Sequence, residues 1–400
     1  MKVLVLNCGS SSVKYTFFDM DGEKRLAFGI VECIGLPEAY YKHQVAGEEE
    51  VKEACKVSNH VEAVDIILQN LINRDHGIIQ DIHEISAVGH RIVHGGEKFS
   101  KSVLITDEVM QDIKNCFVLA PLHNPHNYVG IEACVKLLPG VPEIAVFDTA
   151  FHQTIPQFAH LYALPYSLYQ KYNIRKYGFH GTSHKYVAQR AAEFLGKPLE
   201  ELKLITCHLG NGCSITAINK GVSVETSMGF TPLEGLVMGT RCGDIDPYIL
   251  IHLQNIEKIS LDDLNTLLNK KSGLLGISGL TSDMRTILKA MSSGSEKAKL
   301  AIDVYCYRVK KYIASYLGVL NGADAVIFTA GVGENSPTIR ERCCQELSGL
   351  GISVDSALNS NIATNERQIS EASSKVKVLV IPTNEELMIA RESSRVLTNN

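Results

Sequence analysis

The sequence has no excess of charge of either sign. Its 39 basic and 44 acidic side chains give a formal net charge of −5 over 400 residues. A chain so nearly balanced offers no broad electrostatic attraction for nucleic acid or for an anionic membrane surface. Any anionic ligand must therefore be held by a local site. With 45% hydrophobic and 21% charged residues, the composition is that of an ordinary globular protein.

Paired cysteines and long apolar runs are also missing. The eleven cysteines are scattered, without a C-x-x-C pair of the kind that marks zinc or redox sites. Their odd number and irregular spacing predict reduced thiols in a reducing compartment. The apolar run Val3–Leu6 is too short for a signal peptide, and no later run is long enough to span a bilayer. We therefore expect a cytoplasmic protein.

No linker rich in proline, glycine or serine divides the chain, although 400 residues exceed what one compact core usually holds. We expect two domains, residues 1–149 and 150–384, with the boundary after the apolar run EIAVFD. An apolar strand, a polar loop and a second strand occur at residues 3–18 and again at 203–218. Each copy predicts a β-hairpin, and the repetition indicates two similar domains that arose by duplication.

Amphipathic patterns alternate with these strands. They predict helices at residues 60–72, 184–195, 261–269 and 299–320, the first capped by Ser58 or Asn59 and the third by Ser260. Strands and helices in this order predict an α/β fold. In the longest helix one apolar stripe is expected to pack in a core or against another subunit; its members are Ile302, Tyr305, Val309, Ile313 and Leu317.

The two hairpin loops are candidates for binding an anion. In Asn7–Ser12, Gly9 permits a tight turn with converging N–H groups, and Lys14 adds a positive charge. His208–Gly212 has the same place in the second copy, with glycines on both sides of Asn211. Each loop alone equally fits an ordinary polar turn. As a pair they favour phosphate binding.

A third candidate follows the apolar strand 326–329. The pattern predicts a glycine turn over Gly331–Gly333 and then a helix capped by Asn335 or Ser336, whose N-terminus would favour a phosphate or a ribose. The alternative is a dinucleotide-binding fingerprint. It fails because Ser336 stands where the third glycine is required.

Two arginines, Arg91 and Arg241, lie among glycines, a setting that favours ligand binding over a solvated surface charge. A guanidinium group suits both carboxylate and phosphate. Asp148 ends a strand and would either orient a substrate or hold Mg²⁺, or simply cap the next turn. Glu385 follows Asn384, a pattern that predicts a capped helix start with acidic residues in its first turn. Spacing alone gives Glu385 no metal role.

Three histidines are open to more than one interpretation. His180 lies in the glycine-rich run GFHGTSH without a spacing that assigns it a role. The pair His123 and His126 suggests a metal site, which we reject because Pro125 breaks the helix and no third ligand is present.

Taken together, several segments resemble the acetate kinase (acetokinase) family, and the resemblance runs from Asn7 to Arg391. They are NCGSSSVKY, GHRIVHGGEKF, APLHNPHN, FDTAFHQTIP, YGFHGTSHKYV, HLGNGCSI, TSMGFTPLEGLVMGTRCGDIDP, AGVGENSP and PTNEELMIAR. The resemblance implies two duplicated ribonuclease H-like domains of the actin-like ATPase type with an interdomain cleft. It also implies that a C-terminal helix at about 385–400 completes the first domain, that the second domain binds the nucleotide, and that the protein is a homodimer.

The resemblance further implies a role for individual residues. Asn7 and Glu385 would serve Mg²⁺, for which Mn²⁺ can substitute, and Lys14 would contact the ATP phosphates. The nucleotide site would comprise His208, Leu209, Gly210, Asn211, Gly212, Asp283, Met284, Arg285, Gly331, Val332, Gly333, Glu334 and Asn335. The catalytic residues would be Arg91, which binds the acyl substrate, Asp148 as acid/base or orienting residue, and His180 and Arg241. The substrate methyl pocket would comprise Val93, Leu122, Phe179 and Pro232.

The implied activity is reversible phosphoryl transfer from ATP to acetate. A kinase for propionate or butyrate with the same residues is the nearest alternative, because one methylene in an apolar pocket changes specificity by only about 1–3 kcal/mol. An actin-like ATP switch is the alternative of another class. Arg91 and Arg241 argue against it, since a switch has no need of a second small-anion site.

Overall fold

The computed structural model describes residues 1–361 and 364–399. The chain separates into two compact units: unit 1 comprises Met1–Gln153 and the chain from Asn384 onward, and unit 2 comprises Thr154–Thr383. The division lies a few residues beyond the boundary expected from the sequence. None of the helices in the described ranges combines the length and apolar character needed to span a bilayer.

Unit 1 is built on an eight-stranded sheet with the order β5-β4-β3-β2-β1-β6-β8-β7. Its strands are β1 (Lys2–Cys8), β2 (Ser12–Asp19), β3 (Lys24–Glu32), β4 (Tyr40–Val45), β5 (Val51–Ala54), β6 (Ala87–Ile92), β7 (Val103–Leu104) and β8 (Glu143–Phe147). The helices of unit 1 that precede unit 2 in the chain are α1 (His60–Leu71), α2 (Asp107–Asn115) and α3 (Asn124–Leu137). Strands β1 to β5 form an antiparallel meander, β6 and β8 continue it in parallel, and β7 is antiparallel to β8.

Unit 2 is built on a six-stranded sheet with the order β11-β10-β9-β12-β14-β13. Its strands are β9 (Lys203–Leu209), β10 (Cys213–Asn219), β11 (Val222–Thr226), β12 (Ala325–Thr329), β13 (Arg367–Gln368) and β14 (Lys377–Val380). Its helices are α4 (Gln157–His160), α5 (Tyr166–Tyr172), α6 (Gly181–Leu195), α7 (Tyr248–Glu257), α8 (Leu261–Lys270), α9 (Gly273–Ser278), α10 (Met284–Ser292), α11 (Glu296–Leu320), α12 (Ala330–Asn335), α13 (Pro337–Cys344) and α14 (Ser356–Ser360).

Six strands of the first sheet repeat the topology of the second, and β4 and β5 extend the first sheet beyond this common part. In each, a three-stranded antiparallel meander (β1–β3 or β9–β11) is extended by two parallel strands and closed by a short antiparallel edge strand. The predicted hairpins are the first two strands of each meander, so both are confirmed. The match of strand order and direction supports the duplication that the repeated pattern predicted.

Local sequence signals mark several helix starts correctly. Asn59 caps α1 by accepting from the Glu62 N–H, and Ser260 caps α8 by accepting from the Asp263 N–H. The apolar stripe of α11 is buried within unit 2, so this helix packs in its own core. The last helix, α15 (Glu385–Thr398), belongs to unit 1 and is capped by Asn384.

The predicted helix 184–195 is confirmed, but α6 begins three residues earlier, at Gly181, with His180 as its N-cap at a φ of 55°. Two other local predictions were wrong. The glycines after β12 form helix α12 and not a turn, while Ser336 caps the next helix, α13. Pro125 does not break a helix: it lies in the first turn of α3, where a missing N–H costs nothing.

Candidate active site

In unit 1, Arg91 and Asp148 lie at the carboxyl ends of neighbouring parallel strands. Arg91 is opposite Val146 in the pairing of β6 with β8, and Asp148 follows β8 directly. The Asp148 N–H donates to the Ile92 carbonyl at 2.9 Å, which extends the ladder by one residue. Strand ends of this kind gather polar side chains at one edge of a sheet.

The guanidinium of Arg91 grips the Asp148 carboxylate with two hydrogen bonds. Nε donates to Oδ1 at 3.3 Å and Nη2 to Oδ2 at 2.5 Å. Asp148 is almost fully buried, at 1% exposure, whereas Arg91 is 25% exposed. Burial works against the charge of Arg91, but Asp148 and Glu385 outweigh it and raise the pKa of Arg91 above its ordinary value. Arg91 is therefore a fixed cation with part of its surface open to a ligand.

Asn7, Lys14 and Glu385 line one small cavity together with Arg91. Asn7 and Lys14 are partners across the β1–β2 hairpin, and Asn7 Oδ1 accepts from Arg91 Nη1 at 3.3 Å. Glu385 begins α15, as the sequence predicted from the Asn384 cap. Its Oε1 is buried and has no hydrogen-bond partner among the described residues. A buried carboxylate oxygen without a hydrogen-bond donor has the chemistry of a cation ligand.

Glu385 is also electrostatically perturbed. Burial raises the pKa of its carboxyl to about 7, Arg91 acts in the opposite direction, and Asp148 and Glu386 raise it further. A divalent ion would offset the cost of burying the negative charge of Glu385 and the repulsion from Asp148 and Glu386. Carboxylate and amide oxygens, completed by water, are the ligands that Mg²⁺ prefers. The oxygens of Glu385 and Asn7 therefore fit the predicted metal.

The hairpin loops use part of their backbone internally. The Gly9 N–H donates to the Ser12 carbonyl at 2.8 Å, and the Gly210 N–H donates to the Gly212 carbonyl at 3.1 Å. These two N–H groups close the turns, so they are not among the donors that a phosphate cradle would offer.

In unit 2, His180 stacks on His208. The ring centroids are 4.2 Å apart and the planes differ by 22°. His180 Nδ1 pairs with the Ser214 hydroxyl at 2.9 Å, and that hydroxyl also pairs with His184 Nε2 at 2.7 Å. His208 Nδ1 pairs with Ser183 at 2.8 Å. The hydroxyl groups therefore fix the orientation of the imidazole rings.

Arg241 lies beside this histidine pair. A Cβ atom on Gly212 would be 3.4 Å from the His180 ring and 3.5 Å from Arg241 Nη1, so all three residues meet at one point. Arg241 Nη1 donates to the Pro232 carbonyl at 3.2 Å. Burial lowers the pKa of Arg241, but a guanidinium remains charged at neutral pH. Unit 2 thus brings together two of the predicted catalytic residues, His180 and Arg241.

A pocket of about 550 Å³ opens next to this cluster within unit 2. Such a volume suits a nucleotide or another ligand of that size. The predicted nucleotide residues that line it are Gly210, Asn211, Asp283, Met284, Arg285, Gly331, Val332 and Asn335. Asp283 caps α10 by accepting from the Thr286 N–H at 2.8 Å, and the Arg285 side chain is 93% exposed. Leu209, in contrast, is fully buried in β9.

Glu334 differs from its neighbours in the same segment. Its carboxylate accepts from the Thr383 N–H at 3.0 Å and from the Thr329 hydroxyl at 3.4 Å. The side chain therefore binds Thr329, the last residue of β12, and Thr383, which lies beyond the end of β14. Gly333 is buried against Phe328 and is a packing residue.

The four residues predicted for the methyl pocket differ in burial. Val93 and Phe179 are buried, at 6% and 3% exposure, whereas Leu122 is 65% exposed. The Val93 N–H donates to Asn127 Oδ1 at 3.2 Å, which fixes the backbone just after β6. Pro232 is half-buried and contributes its carbonyl to Arg241.

Several residues of the site escaped the sequence interpretation, and His184 and Arg340 are two of them. His184 is fully buried and also pairs with Thr206 at 2.7 Å. Its spacing of four from His180 on a helical pattern was a usable signal. Arg340 is fully buried and donates to the carbonyls of Gly333 and Glu334 at 2.9 and 2.8 Å. In the sequence it resembles a surface charge of α13, so only the structure reveals it.

One other cluster of possible ligand atoms is present in the described part of unit 1, formed by His90, Cys134 and Glu143. His90 Nε2 and Glu143 Oε2 are hydrogen-bonded to each other at 2.5 Å. Burial raises the pKa of the Cys134 thiol well above its ordinary value. A neutral thiol is a poor metal ligand, so we assign this cluster to the core.

Comparisons with known proteins agree over the whole chain. A family model described as the acetokinase family matches residues 2–391. The acetate kinase of Caldicellulosiruptor bescii is 57% identical over 399 residues, with 100% of both chains covered.

Solved structures give the same picture. The acetate kinase of Porphyromonas gingivalis superposes with a TM-score of 0.96 at 48% identity, covering 99% of each chain. A propionate kinase from Francisella tularensis superposes with a TM-score of 0.92 at 44% identity, again over 99% of each chain.

Proposed function

Because this chain belongs to the acetokinase family, we propose that it transfers a phosphoryl group reversibly between ATP and acetate, giving acetyl phosphate and ADP. The transfer is direct and in line, from the nucleotide to the carboxylate oxygen. The full-length identity to an acetate kinase supports acetate as the acceptor.

The arrangement around Arg91 supports this function most directly. A buried carboxylate, Asp148, holds a partly exposed guanidinium, and an unpartnered oxygen of Glu385 lies in the same small cavity. The Arg91 guanidinium can bind a small carboxylate, and the Glu385 oxygen can bind a metal ion.

We assign Arg91 to the acyl substrate and Asp148 to the orientation of Arg91. Acetate is already ionised at neutral pH, as carboxyl groups with a pKa near 4 are. The acceptor therefore needs no general base. Both Asp148 oxygens accept from Arg91, which favours an orienting role over acid/base chemistry. Val93, Leu122, Phe179 and Pro232 are assigned to the methyl group.

We assign His180 and Arg241 to the transition state. Charge spreads over the equatorial oxygens of the transferring phosphoryl group, and preorganised cations and donors stabilise it. The stacking of His180 on His208 and its bond to Ser214 hold the ring in place before the substrate arrives. This fixed position is what gives a donor its catalytic value.

We assign the unit 2 pocket to the nucleotide and Lys14 to its phosphates. Asn7 and Glu385 are assigned to Mg²⁺, which Mn²⁺ can replace. When held by these two residues, the ion would supply neutralisation of the phosphate charge. Activity should be lost with a chelator and return on addition of Mg²⁺ or Mn²⁺. If neither Mg²⁺ nor Mn²⁺ restored the activity, this assignment would be contradicted.

A propionate kinase is the second candidate, since a structure so named superposes at 44% identity. Butyrate is a more distant possibility of the same kind. The residues around Arg91 would serve any short carboxylate, so the apolar pocket would have to distinguish acetate from propionate and butyrate.

We further propose a homodimer formed through helix α7. This helix has no buried residue, although its sequence is YILIHLQNIE. Tyr248, Ile251 and Ile256 are 65, 52 and 57% exposed. An apolar face of this kind marks a protein interface. Light scattering of the purified protein should give twice the 43.9 kDa chain mass, and Ile251→Asp should shift the measured mass toward that of the monomer.

We also propose that the protein is cytoplasmic. Its eleven cysteines are free thiols, as expected in a reducing compartment.

The deciding experiment is hydroxamate trapping of acyl phosphate with Mg-ATP and acetate, propionate or butyrate. We expect the highest kcat/KM with acetate and a lower but measurable value with propionate. A preference for propionate would keep the mechanism and change the substrate. Absence of acyl phosphate with all three acids would overturn the kinase function.

A further inference from the structure

Thr383 is the last residue of unit 2, and it is held there by two hydrogen bonds. Its N–H donates to Glu334 Oε1 at 3.0 Å, and its hydroxyl pairs with the Ser183 hydroxyl at 2.8 Å. The chain then passes to Asn384, the cap of α15, and to Glu385. Thr383 lies beyond the end of β14, where the sheet ladder no longer fixes the backbone. The hydrogen bonds to Glu334 and Ser183 hold Thr383 in place instead.

Glu334 connects Thr383 to the nucleotide pocket. It belongs to α12, whose residues Gly331, Val332 and Asn335 line that pocket. Arg340, fully buried, fixes the carbonyls of Gly333 and Glu334 from the other side. Glu334 is thus held through its backbone and its side chain, and α12 has little freedom to move away from Thr383.

The connection from Thr383 through Glu334 to α12 is the nucleotide arm. A second set of contacts, the histidine arm, connects Thr383 to His208 and His180. Ser183 is fully buried, and its hydroxyl pairs both with Thr383 and with His208 Nδ1 at 2.8 Å. His208 in turn stacks on His180. One residue, Thr383, therefore has a hydrogen-bonded path to α12 and another to the candidate catalytic histidine.

We propose that Glu334 and Thr383 are positioning residues for the phosphoryl transfer, a role that rests on the proposed function. The Thr383 link, defined as Ser183, Thr329, Glu334 and Thr383, holds α12 for the nucleotide and the imidazole rings for the transfer. Both described hydrogen bonds of the Glu334 carboxylate come from protein groups, the Thr383 N–H and the Thr329 hydroxyl. The two arms have separable effects, because one ends at the nucleotide and the other at the histidines.

The test separates binding from catalysis. Glu334→Ala removes both acceptor bonds and should raise the KM for Mg-ATP about tenfold, as expected for one or two lost hydrogen bonds. The KM for acetate should stay within about twofold. Glu334→Gln keeps an oxygen in the same place and should restore the KM for Mg-ATP to within about threefold of the wild type. Thr383→Val removes only the bond to Ser183 and should lower kcat about threefold to tenfold at an unchanged KM for Mg-ATP.

Glu341→Ala is the matched control. It removes an exposed glutamate of α13 whose side chain bonds only Ser356 within the contacts described for it, and its kinetics should equal those of the wild type. Equal losses in Glu334→Ala and Glu334→Gln would show that charge matters and not the link, and would overturn the proposal. A KM for Mg-ATP within about twofold of wild type in Glu334→Ala would overturn it as well.

The proposed function and the Thr383 link can fail separately. ADP binding measured by calorimetry reports on α12 without any acyl acceptor. If the wild type forms no acyl phosphate, the proposed function fails, and about tenfold weaker ADP binding in Glu334→Ala, with recovery in Glu334→Gln, still supports the nucleotide arm. If Glu334→Ala does not fold, Thr383→Val tests the link alone. An unchanged kcat in Thr383→Val then overturns the proposal.

Discussion

Both oxygens of Asp148 accept from the guanidinium of Arg91, although the two residues are 57 positions apart in the chain. The pair sets a cation in a fixed orientation at the end of two parallel strands. Burial of Asp148 makes the pair sensitive to the loss of either partner, because a buried charge without its counterpart is costly.

Asp148→Asn should lower kcat/KM for acetate by about 100-fold, as Arg91 loses the carboxylate that orients it and about 2–5 kcal/mol is at stake in such a pair. Steady-state kinetics with the acyl phosphate assay measure this. The control is Asp303→Asn, which breaks the surface pair of Asp303 with Arg342 at 2.6 Å and should change kcat/KM by less than about threefold. Similar effects of the two substitutions would contradict an orienting role for Asp148.

Arg241→Ala should reduce kcat by roughly a hundredfold or more, because it removes a preorganised charge from the transition state. The KM for acetate should change little, since the ground state gains less from this cation. Arg342→Ala, a surface arginine in the same unit, serves as the control. An unchanged kcat in Arg241→Ala would refute the assigned role.

Val93→Ala should shift the preference from acetate toward propionate, by about tenfold in the ratio of the kcat/KM values. The substitution removes two buried methyl groups from the position assigned to the substrate methyl. Val64→Ala truncates an equally buried valine of α1, in the unit 1 core. It should lower stability without altering the ratio, so a change of the same size there would remove the argument for a specific pocket.

Gly239→Ala should raise the KM for Mg-ATP by about tenfold or more. A Cβ at this position would be 2.1 Å from Asn211 Oδ1, so the asparagine that lines the nucleotide pocket would have to move. Gly349→Ala is the control, because a Cβ there meets no atom within 4 Å. Unaltered nucleotide binding in Gly239→Ala would show that the position of Asn211 is unimportant.

Glu234→Gln tests a half-buried carboxyl that accepts a hydrogen bond from the Tyr162 hydroxyl. Burial raises the pKa of Glu234 above its ordinary value of 4.5, although the hydrogen bond from Tyr162 and the charge of Lys176 oppose the shift. A raised pKa stabilises the folded protein fully below pH 4.5, and this contribution is lost as pH rises through the folded pKa. The thermal midpoint of Glu234→Gln should therefore rise relative to that of the wild type as the pH increases from 4.5. A difference that stays constant over this range would contradict the shift.

Short-range chemistry accounts for what could be predicted from the sequence. Asn59 and Ser260 cap helices because a side-chain oxygen followed by free N–H groups is a local signal. The two hairpins were recognisable because strand, polar loop and strand are contiguous. The glycines after β12 were misread, since a glycine run also permits the short helix α12, and packing of Gly333 on Phe328 selects it.

The sequence by itself determined the two hairpins, four of the helices, the duplication and, through resemblance to a family, the residues to be considered. Only the tertiary structure decided which of them act together. Arg91 meets Asp148 because β6 and β8 are neighbours in a sheet, and His180 meets His208 because α6 packs beside β9. Glu334 turned out to hold Thr383, a partner 49 residues away. Such pairings arise when distant strands align and bury polar atoms that must then find partners, and no local pattern encodes that outcome.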